Sequence, residues 1–557
     1  MNASLDSSSN LSWAARPGRE LLRLSWPIAV STISYSAMNL VGGAFVARVG
    51  AAEGAGVGLA GAISFGLWCF AIGVLRGLKT LVSQAIGAGR AREVDNYLGV
   101  GVLFALGMGA VALIVAEILA PILAVVTPDP AIGAAAATYL RIRALSAPML
   151  LVYVALRETR WGEGDTHAPM RASLLGNLTN FTLDVVLIVG LGWGVLGAAI
   201  AAVAGNAVEL ARLAWPMRRR LVGITWRTSY ARAIWQQGAA TGLQFLMEVG
   251  AFLLLTAIVS QMSAADAAAH HLVLQLTHVS FLPAHALAEA ASVLVGNAVG
   301  ASREDLLRPV ARRALALGAA YTGLCTVVFG VGAPAIAALL VGDRPAVIAV
   351  TISLIHVSAL FLIADAGNVI ARGVLRGAGD VVYPALVGVI TAWLLTPPTA
   401  WGLGLALGWG AVGGWIGLTA EIIIGASILW WRVLRGGWAD AAAGSRRRVL
   451  SQRTAVGGDA VDASELSLDG HVRETIECEA MNYVDYVAAD GERTGGRLHD
   501  RHRDRDGAPG DRGPSAAPRR AAARRDAATG PRHDPRVTGT DQRARRLQGE
   551  IRGMNRC

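Results

Sequence analysis

Polar side chains recur at helical spacing inside the most apolar stretches of this sequence. Ser173, Asn177, Asn180 and Asp184 are separated by steps of 4, 3 and 4 residues, which places all four on one face of an α-helix. A polar stripe that ends in a carboxylate indicates a water-filled cavity or a cation site, and a hydrogen bond to a neighbouring helix is the structural alternative. We expect Asp184 to be functional and the two asparagines to make structural contacts at the wall of a cavity.

Two more carboxylates lie well inside apolar runs. Glu248 follows Gln244 by four residues, and Asp365 precedes Asn368 by three. Because a lone carboxylate at membrane depth is costly and most often functional, we expect Glu248 and Asp365 to bind a proton or a small cation. Na⁺ at these two residues is the only metal that the sequence suggests. Three other glutamates are expected to be interfacial or packing residues: Glu117, Glu209 and Glu421.

A further polar stripe consists of His271, Gln275, His278, His285 and Glu289. These residues lie within about 40° of a common line on a helix with 3.6 residues per turn. Histidines seven residues apart are separated by about 10 Å along the helix axis, so they cannot share one metal ion. We interpret the stripe as cavity lining with titratable members or, equally, as a set of structural polar contacts.

The composition indicates which elements must position these groups. The chain has 557 residues, of which 54% are hydrophobic and 16% are charged, whereas soluble proteins carry about 25% charged residues. Apolar runs long enough to cross a bilayer as a helix recur from Leu24 to Val433. The polar stripes therefore belong to transmembrane helices, the first of which we expect to be retained and not cleaved as a signal peptide. The net charge of +10 is attributed to loop arginines and a basic tail, not to nucleic-acid binding.

Two hydrophilic loops occur twice in the chain. The loop at 157–169 recurs at 372–384, with Arg, two Gly, Asp and Pro at matching positions and an offset of 215 residues (380 minus 165). A second pair, 83–90 and 296–303, matches at an offset of 213 residues. Loops that recur in the same order at nearly the same period indicate a duplicated unit. In so apolar a chain, this duplication predicts a transporter with two lobes.

Twelve spans are predicted, six on each side of a basic loop at 218–234. With a cytoplasmic N-terminus, the loops rich in arginine all lie on the cytoplasmic side, so both termini are placed inside the cell. Lys79, Arg157, Arg372 and Arg376 are counted among these loop charges. The predicted spans are 23–47, 53–75, 97–121, 134–156, 169–191, 194–215, 238–261, 267–291, 314–340, 346–371, 384–405 and 409–432.

The predicted fold is an all-α polytopic membrane protein whose twelve helices form two six-helix lobes related by the repeat. The tail is expected to be disordered because Arg, Asp, Gly, Ala and Pro dominate it and little apolar surface is available for burial. The predicted boundaries are a disordered N-terminus at 1–18, an N-lobe at 19–217, a cytoplasmic inter-lobe loop at 218–234, a C-lobe at 235–437 and a disordered basic tail at 438–557.

Over roughly 20–435 the chain resembles the multidrug and toxic compound extrusion (MATE) family, in its NorM-like branch. The resemblance implies two lobes around a central cavity and outward extrusion of organic, often cationic, compounds driven by inward movement of Na⁺ or H⁺. The segments that carry it are Met38 to Val41, Gln84 to Gly89, Gly164 to Pro169, Gly176 to Asn180 with Leu183 and Asp184, and Val295 to Gly300.

The resemblance also assigns roles to individual residues. Glu248 and Asp365 fall at the positions of the C-lobe cation-site carboxylates of NorM-like members, and Asp184 falls on the family's fifth-span aspartate. Members often have an aspartate in the first span where this sequence has Gly42, and Phe361 offers no hydroxyl near Asp365. We expect the substrate cavity to be lined by Tyr35, Asn39, Asn177, Asn180, Gln244, Gln275, His278 and Asn368.

Other functions remain as alternatives. A lipid-linked precursor or polysaccharide flippase of the same superfamily would require cavity arginines to bind phosphate, and a membrane sensor or scaffold would require a folded module in the tail. A nucleotide-binding loop for an ATP-driven pump is not found. The favoured function is a secondary antiporter, not an enzyme, that needs no cofactor beyond Na⁺ or H⁺ as the coupling ion. We expect a monomer in the cell membrane, in contact with lipid and small-molecule substrates but not with nucleic acid.

Overall fold

The computed structural model describes residues 11–452. This part of the chain is almost entirely helical, as expected where no water can satisfy an open backbone. The α-helices are α1 Pro17–Val49, α2 Ala51–Gly87, α3 Ala91–Val126, α4 Pro130–Ala144, α5 Ala147–Gly162, α6 His167–Asp184, α7 Gly194–Met217, α8 Thr228–Val259, α9 Ala264–Gly300, α10 Leu307–Val341, α11 Pro345–Ala378, α12 Val382–Thr399, α13 Ala411–Arg435 and α14 Ala439–Ser451.

The helices agree with the predicted membrane spans. In the described residues, eleven helices are long and apolar enough to cross a membrane, and α4 with α5 forms a further span that is bent by 49°. The bend follows from Pro148 near the start of α5, which has no backbone N–H to donate to the preceding turn. At the break the Arg143 carbonyl accepts both the backbone N–H of Ser146, at 3.1 Å, and its Oγ hydroxyl, at 2.7 Å. The prediction of twelve spans is confirmed.

The duplicated unit is visible in the backbone. Gly89 has a φ of +71°, and Ser302, which stands 213 residues later, has a φ of +60°. Gly164 and Gly379, which the sequence repeat also pairs, have φ values of +82° and +95°. Both α6 and α12 continue into π-helical turns, at Val185–Gly190 and Ala400–Ala406. The two lobes, α1–α7 and α8–α13, therefore share one backbone plan down to their strained turns.

The first turns of α1 and α8 each pack in the core of the opposite lobe. Leu21 and Leu24 at the start of α1 are buried in an apolar cluster built mainly from C-lobe helices. Conversely, Tyr230 and Ile234 at the start of α8 are buried among N-lobe helices. Each lobe thus has one helix end seated in the other lobe's core, which joins the lobes at one end of the molecule.

Small residues bring the lobes into backbone contact at this same end. A Cβ at Gly73 of α2 would lie 2.5 Å from the Gly242 Cα of α8, and one at Gly77 would lie 2.9 Å from the Gly238 nitrogen. Only glycine permits helices to approach this closely in a membrane. Further along α2, a Cβ at Gly87 would lie 2.1 Å from the Asn297 carbonyl oxygen. We call this end of the molecule, marked by Gly87, the closed end.

Several helices extend beyond the predicted spans. The second and tenth spans were predicted to end at 75 and 371, but α2 continues to Gly87 and α11 to Ala378. The assignment of Lys79, Arg157, Arg372 and Arg376 to loops is therefore wrong, because all four lie within helices. Hydropathy falls where charges begin, but these charges bond to polar side chains of the same or a neighbouring helix and do not end the helices.

The predicted disordered tail begins too early. Residues 439–451 form α14, in which Ala442 is fully buried and Val449 is 2% exposed. Ala442, Ser445 and Val449 are spaced by three and four residues and make a narrow buried stripe on an otherwise polar helix. Similarly, α1 begins at Pro17 inside the predicted disordered N-terminus. The predictions of disorder for 1–10 and 453–557 lie outside the described residues.

Candidate functional site

An ion pair joins α8 and α11 in the C-lobe. Arg372 Nη1 donates to Glu248 Oε1 at 2.7 Å, and both side chains are largely buried. Gln244 Nε2 donates to the same oxygen at 2.9 Å, and Arg376 Nη2 donates to Gln244 Oε1 at 2.9 Å. Glu248 was predicted as a lone carboxylate, but its charge is balanced by an arginine. Buried charges are stable only when paired in this way.

Helix α12 is the third helix of this site, and it places a glycine, Gly388, against the ion pair. A Cβ at Gly388 of α12 would lie 2.6 Å from both Gln244 Nε2 and Glu248 Oε1, and 3.1 Å from Arg372 Nη2. Separations below about 3 Å between such atoms are strongly repulsive. Glycine at this position therefore allows α12 to cover the ion pair, which keeps it away from the surrounding apolar phase.

Two further carboxylates lie near the same arginine. Asp365 stands two helical turns before Arg372 on α11, and it interacts electrostatically with both Arg372 and Glu248. Glu421 of α13 also interacts with these three groups, and its Oε2 accepts a hydrogen bond from Thr396 Oγ1 at 2.5 Å. The C-lobe thus contains three carboxylates that interact electrostatically with Arg372, of which Glu248 alone is hydrogen-bonded to it. We call Glu248, Asp365, Arg372 and Glu421 the C-lobe charge group.

The N-lobe contains its own buried carboxylate. Asp184 at the end of α6 is 2% exposed, and a Cβ at Gly42 of α1 would lie 3.3 Å from its Oδ2. In the same lobe, Asn177 Nδ2 donates to Ser34 Oγ at 3.0 Å, and Asn180 packs against Gly205 of α7. The asparagines therefore make the helix-to-helix contacts that the sequence suggested.

The polar stripe of α9 serves two different regions. Ser36 Oγ of α1 lies 3.4 Å from His278 Nε2, which makes a contact between the two lobes at an exposed part of α9. Gln275, one turn away, is also exposed there, as are Tyr35 and Asn39 on α1. Nearer the closed end, the same stripe becomes buried at His285 and Glu289, where it meets charges from α2.

Two residues assigned to the cavity do not line it. Gln244 is 1% exposed, because it is bonded to Glu248 and Arg376 inside the C-lobe. Asn368 is 3% exposed, and its Nδ2 donates to the Ile422 carbonyl of α13 at 3.4 Å. This contact ties α11 to α13 next to Glu421. Asn368 therefore belongs to the packing between α11 and α13.

A known family profile matches this chain twice, once in each lobe. The MatE family profile matches residues 27–186 and 240–401, one match in each lobe. The chain belongs to the MatE family. It is 31% identical over 426 residues to a probable multidrug resistance protein NorM of Deinococcus radiodurans, covering 73% of this chain and 92% of that protein. A NorM of Pseudomonas putida is 29% identical over 443 residues, covering 75% of this chain and 95% of the relative.

Solved structures support the fold. A MOP superfamily transporter from Pyrococcus furiosus superposes with a TM-score of 0.72 at 20% identity, covering 79% of this chain and 99% of that chain. The two-lobed helical architecture predicted from the sequence is thereby confirmed. At position 42, where the resemblance led us to expect an aspartate, a Cβ would lie 3.3 Å from Asp184 Oδ2.

The structure unites some predicted residues and separates others. Glu248 and Asp365 belong to one charge group, whereas Asp184 lies in the other lobe. Sequence reasoning missed Arg372, although its spacing of seven residues from Asp365 places both on one face of α11. It also left Glu421 as a packing residue, and no signal in the sequence pointed to the fit of Gly388 against Glu248.

Proposed function

We propose that this MatE family member is a secondary antiporter that exports organic, often cationic, compounds in exchange for an inward-moving cation. The relatives described above carry the name multidrug resistance protein, and we extend that role to this chain. The observation that supports the proposal is the C-lobe charge group, in which Arg372 is bonded to Glu248 and interacts electrostatically with Asp365 and Glu421. We infer that the charge group serves transport and not catalysis.

The charge group can couple ion binding to conformation. Among the three carboxylates only Glu248 makes a direct ion pair in the described residues, so ionised Asp365 and Glu421 leave a local excess of negative charge, which is costly at membrane depth. An incoming cation removes the excess and stabilises the conformation that binds it best. A cationic cargo that binds near the same carboxylates then competes with that ion. Exchange of the two across the membrane follows from this competition.

We infer that the coupling ion is H⁺. A guanidinium nitrogen 2.7 Å from Glu248 Oε1 repels a second cation at that oxygen. Na⁺ also needs several oxygen ligands, and Phe361, one turn before Asp365, supplies none. A proton can bind Asp365 without displacing Arg372. The arginine that the sequence analysis placed in a loop thus favours proton coupling.

The orientation proposed from the loop charges assigns each end of the molecule to one side of the membrane. If both termini are cytoplasmic, the closed end faces the cytoplasm and the space around Tyr35, Asn39 and His278 opens outward. We propose that the protein acts in the cell membrane as a monomer surrounded by lipid, because one chain supplies both walls of the cavity. A flippase is not favoured, since Arg372 and Arg376 are engaged by Glu248 and Gln244 and are not free to bind phosphate.

Uptake of a fluorescent organic cation into inverted vesicles tests the proposal. We expect uptake when a pH gradient is imposed and none when only a Na⁺ gradient is imposed. Removal of Arg372 by Arg372→Gln should allow Na⁺ to drive residual uptake, because the site loses its internal cation. Uptake by the unchanged chain that depends on Na⁺ at constant pH would overturn the choice of ion. Transport of a lipid-linked precursor with no cation uptake would overturn the function.

A further inference from the structure

The chain contains a single lysine, and it is buried between the lobes. Lys79 is the only lysine among 50 basic Lys and Arg residues, and it is 4% exposed. Its ammonium group forms an ion pair with Glu289 Oε2 of α9, in the opposite lobe. It also lies 3.9 Å from Glu158 Oε2 of α5, in its own lobe. Lys79 is therefore placed between one carboxylate from each lobe.

The two carboxylates are held differently. Glu289 is also bound by Arg76 of α2, whose Nη2 lies 3.1 Å from Glu289 Oε1. Glu158 is fully buried and accepts one hydrogen bond at Oε1 from Arg157 Nη2, at 2.9 Å. Its other oxygen, Oε2, has no hydrogen-bond partner within residues 11–452. A buried carboxylate oxygen without a donor is costly, and Lys79 is the cation that faces it.

Alternating access requires the pair between Lys79 and Glu289 to break. The two residues belong to different lobes, and their helices separate when the closed end opens. An ammonium left buried and unpaired would oppose this opening strongly. Glu158 moves with Lys79 because α5 belongs to the same lobe as α2, so it can accept the ammonium when Glu289 withdraws.

The side chains of Lys79 and Glu289 border a small internal space. A polar cavity of about 10 Å³ adjoins Lys79 and is lined also by Thr80, Gln237 and Ser292. Gln237 Oε1 and Ser292 Oγ have no hydrogen-bond partner in the described part of the chain, and a space of this size accepts one water molecule. Lysine suits the position because its ammonium rotates freely on a flexible stem, whereas the planar guanidinium of arginine fixes its partners.

We propose that Lys79 is a gate residue that exchanges its carboxylate during transport. It pairs with Glu289 while the closed end is closed and with Glu158 when that end opens. This inference rests on the proposed function in that it assumes the two lobes alternate. It does not depend on the coupling ion or the cargo. Glu158 acts in the gate and is not a member of the C-lobe charge group.

Distance measurements between the lobes test the exchange. Spin labels at Arg92 of α3 and Asp305, both exposed at the closed end, report its opening in the full chain reconstituted in lipid. Glu289→Gln removes the closed-state partner and should increase the open population about tenfold, whereas Glu158→Gln removes the open-state partner and should decrease it about tenfold. The labels require a background in which serine replaces Cys69, Cys325, Cys478 and Cys557.

Lys79→Arg gives a second test that keeps the charge. It should retain the closed population but slow uptake of the organic cation about tenfold or more, since arginine exchanges partners poorly. Shifts of the two glutamine variants in the same direction would overturn the proposal, as would wild-type opening and transport in Glu158→Gln. If the unchanged chain fails to transport cations but the opposite shifts persist, the proposed function fails and the gate stands. If a glutamine variant does not fold, Lys79→Arg alone decides, and wild-type transport by it overturns the proposal.

Discussion

Gly388 of α12 lies directly against the carboxylate of Glu248 on α8. A Cβ atom at position 388 would lie 2.6 Å from Glu248 Oε1, and Arg372 approaches the same position from α11. Three helices therefore meet where one of them has no side chain. The contact explains how an ion pair can be enclosed in an apolar lobe without a larger cavity.

Gly388→Ala should disrupt this contact and reduce transport about tenfold, because an added methyl group forces a packed site to rearrange. The protein should still insert in the membrane, since the lobe core is otherwise unchanged. Gly402→Ala is the matched control, because a Cβ at Gly402 meets nothing within 4 Å. Uptake into vesicles, normalised to the amount of inserted protein, is the measurement. Equal activity in both variants would show that the ion pair tolerates displacement.

Neutral replacements of the C-lobe carboxylates should abolish coupling. Glu248→Gln leaves Arg372 without its ionised partner, and Asp365→Asn removes the group that we propose to bind the proton. Asp184→Asn should weaken export less, because Asp184 lies in the other lobe. Glu117→Gln serves as a control, since its side chain is 46% exposed. Full activity in the Glu248→Gln, Asp365→Asn double variant would move the coupling site to Asp184 and the histidines of α9.

The spans and the repeat could be predicted because both depend on local information. Hydropathy reports burial in lipid, and the matching loops repeat the residue types that their turns require, as the positive φ values of Gly164 and Gly379 confirm. The ends of the helices could not be predicted as well. Hydropathy treats a charge as the end of a span, but Lys79 and Arg372 are paired between helices and lie inside them.

The composition of the C-lobe charge group depends on tertiary packing. Glu248 and Asp365 were recognisable because each is a carboxylate within an apolar run. Glu421 has the same property, but its hydrogen bond with Thr396 and its electrostatic interaction with Asp365 depend on how α13 packs against α11 and α12. The same limit applies to α14, whose buried stripe of Ala442, Ser445 and Val449 is too short to stand out in a polar sequence.

Two truncations should separate α14 from the residues that follow it. Ser445 Oγ donates to Gln84 Oε1 at 2.8 Å, and Arg90 Nη1 donates to the Val449 carbonyl at 2.7 Å, so α14 contacts the N-lobe as well as the C-lobe. A chain that stops after Gln452 should insert and transport normally. One that stops after Gly437 should lose these contacts and melt a few degrees lower in detergent, at about 2–4 °C per kcal/mol lost. Identical melting temperatures would show that α14 adds no stability.

Gly42→Asp should create a second carboxylate beside Asp184. A Cβ at position 42 would lie 3.3 Å from Asp184 Oδ2, and two carboxylates this close titrate as a pair that shares a proton or binds a cation between them. We expect the variant to take up an additional coupling ion in each cycle, because the N-lobe gains a site that a single carboxylate does not provide. The ratio of protons to cargo, measured in proteoliposomes with a pH-sensitive dye, should therefore rise.

Gly43→Asp is the matched control for this change. A Cβ at Gly43 meets nothing within 4 Å, so its carboxylate would be held on a different face of α1 and away from Asp184. Both variants add the same charge to the same helix, but only Gly42→Asp places it beside the carboxylate of Asp184. A raised ratio in both would mean that the added charge acts through general electrostatics. An unchanged ratio in Gly42→Asp, with the protein inserted and active, would mean that coupling depends on the C-lobe charge group alone.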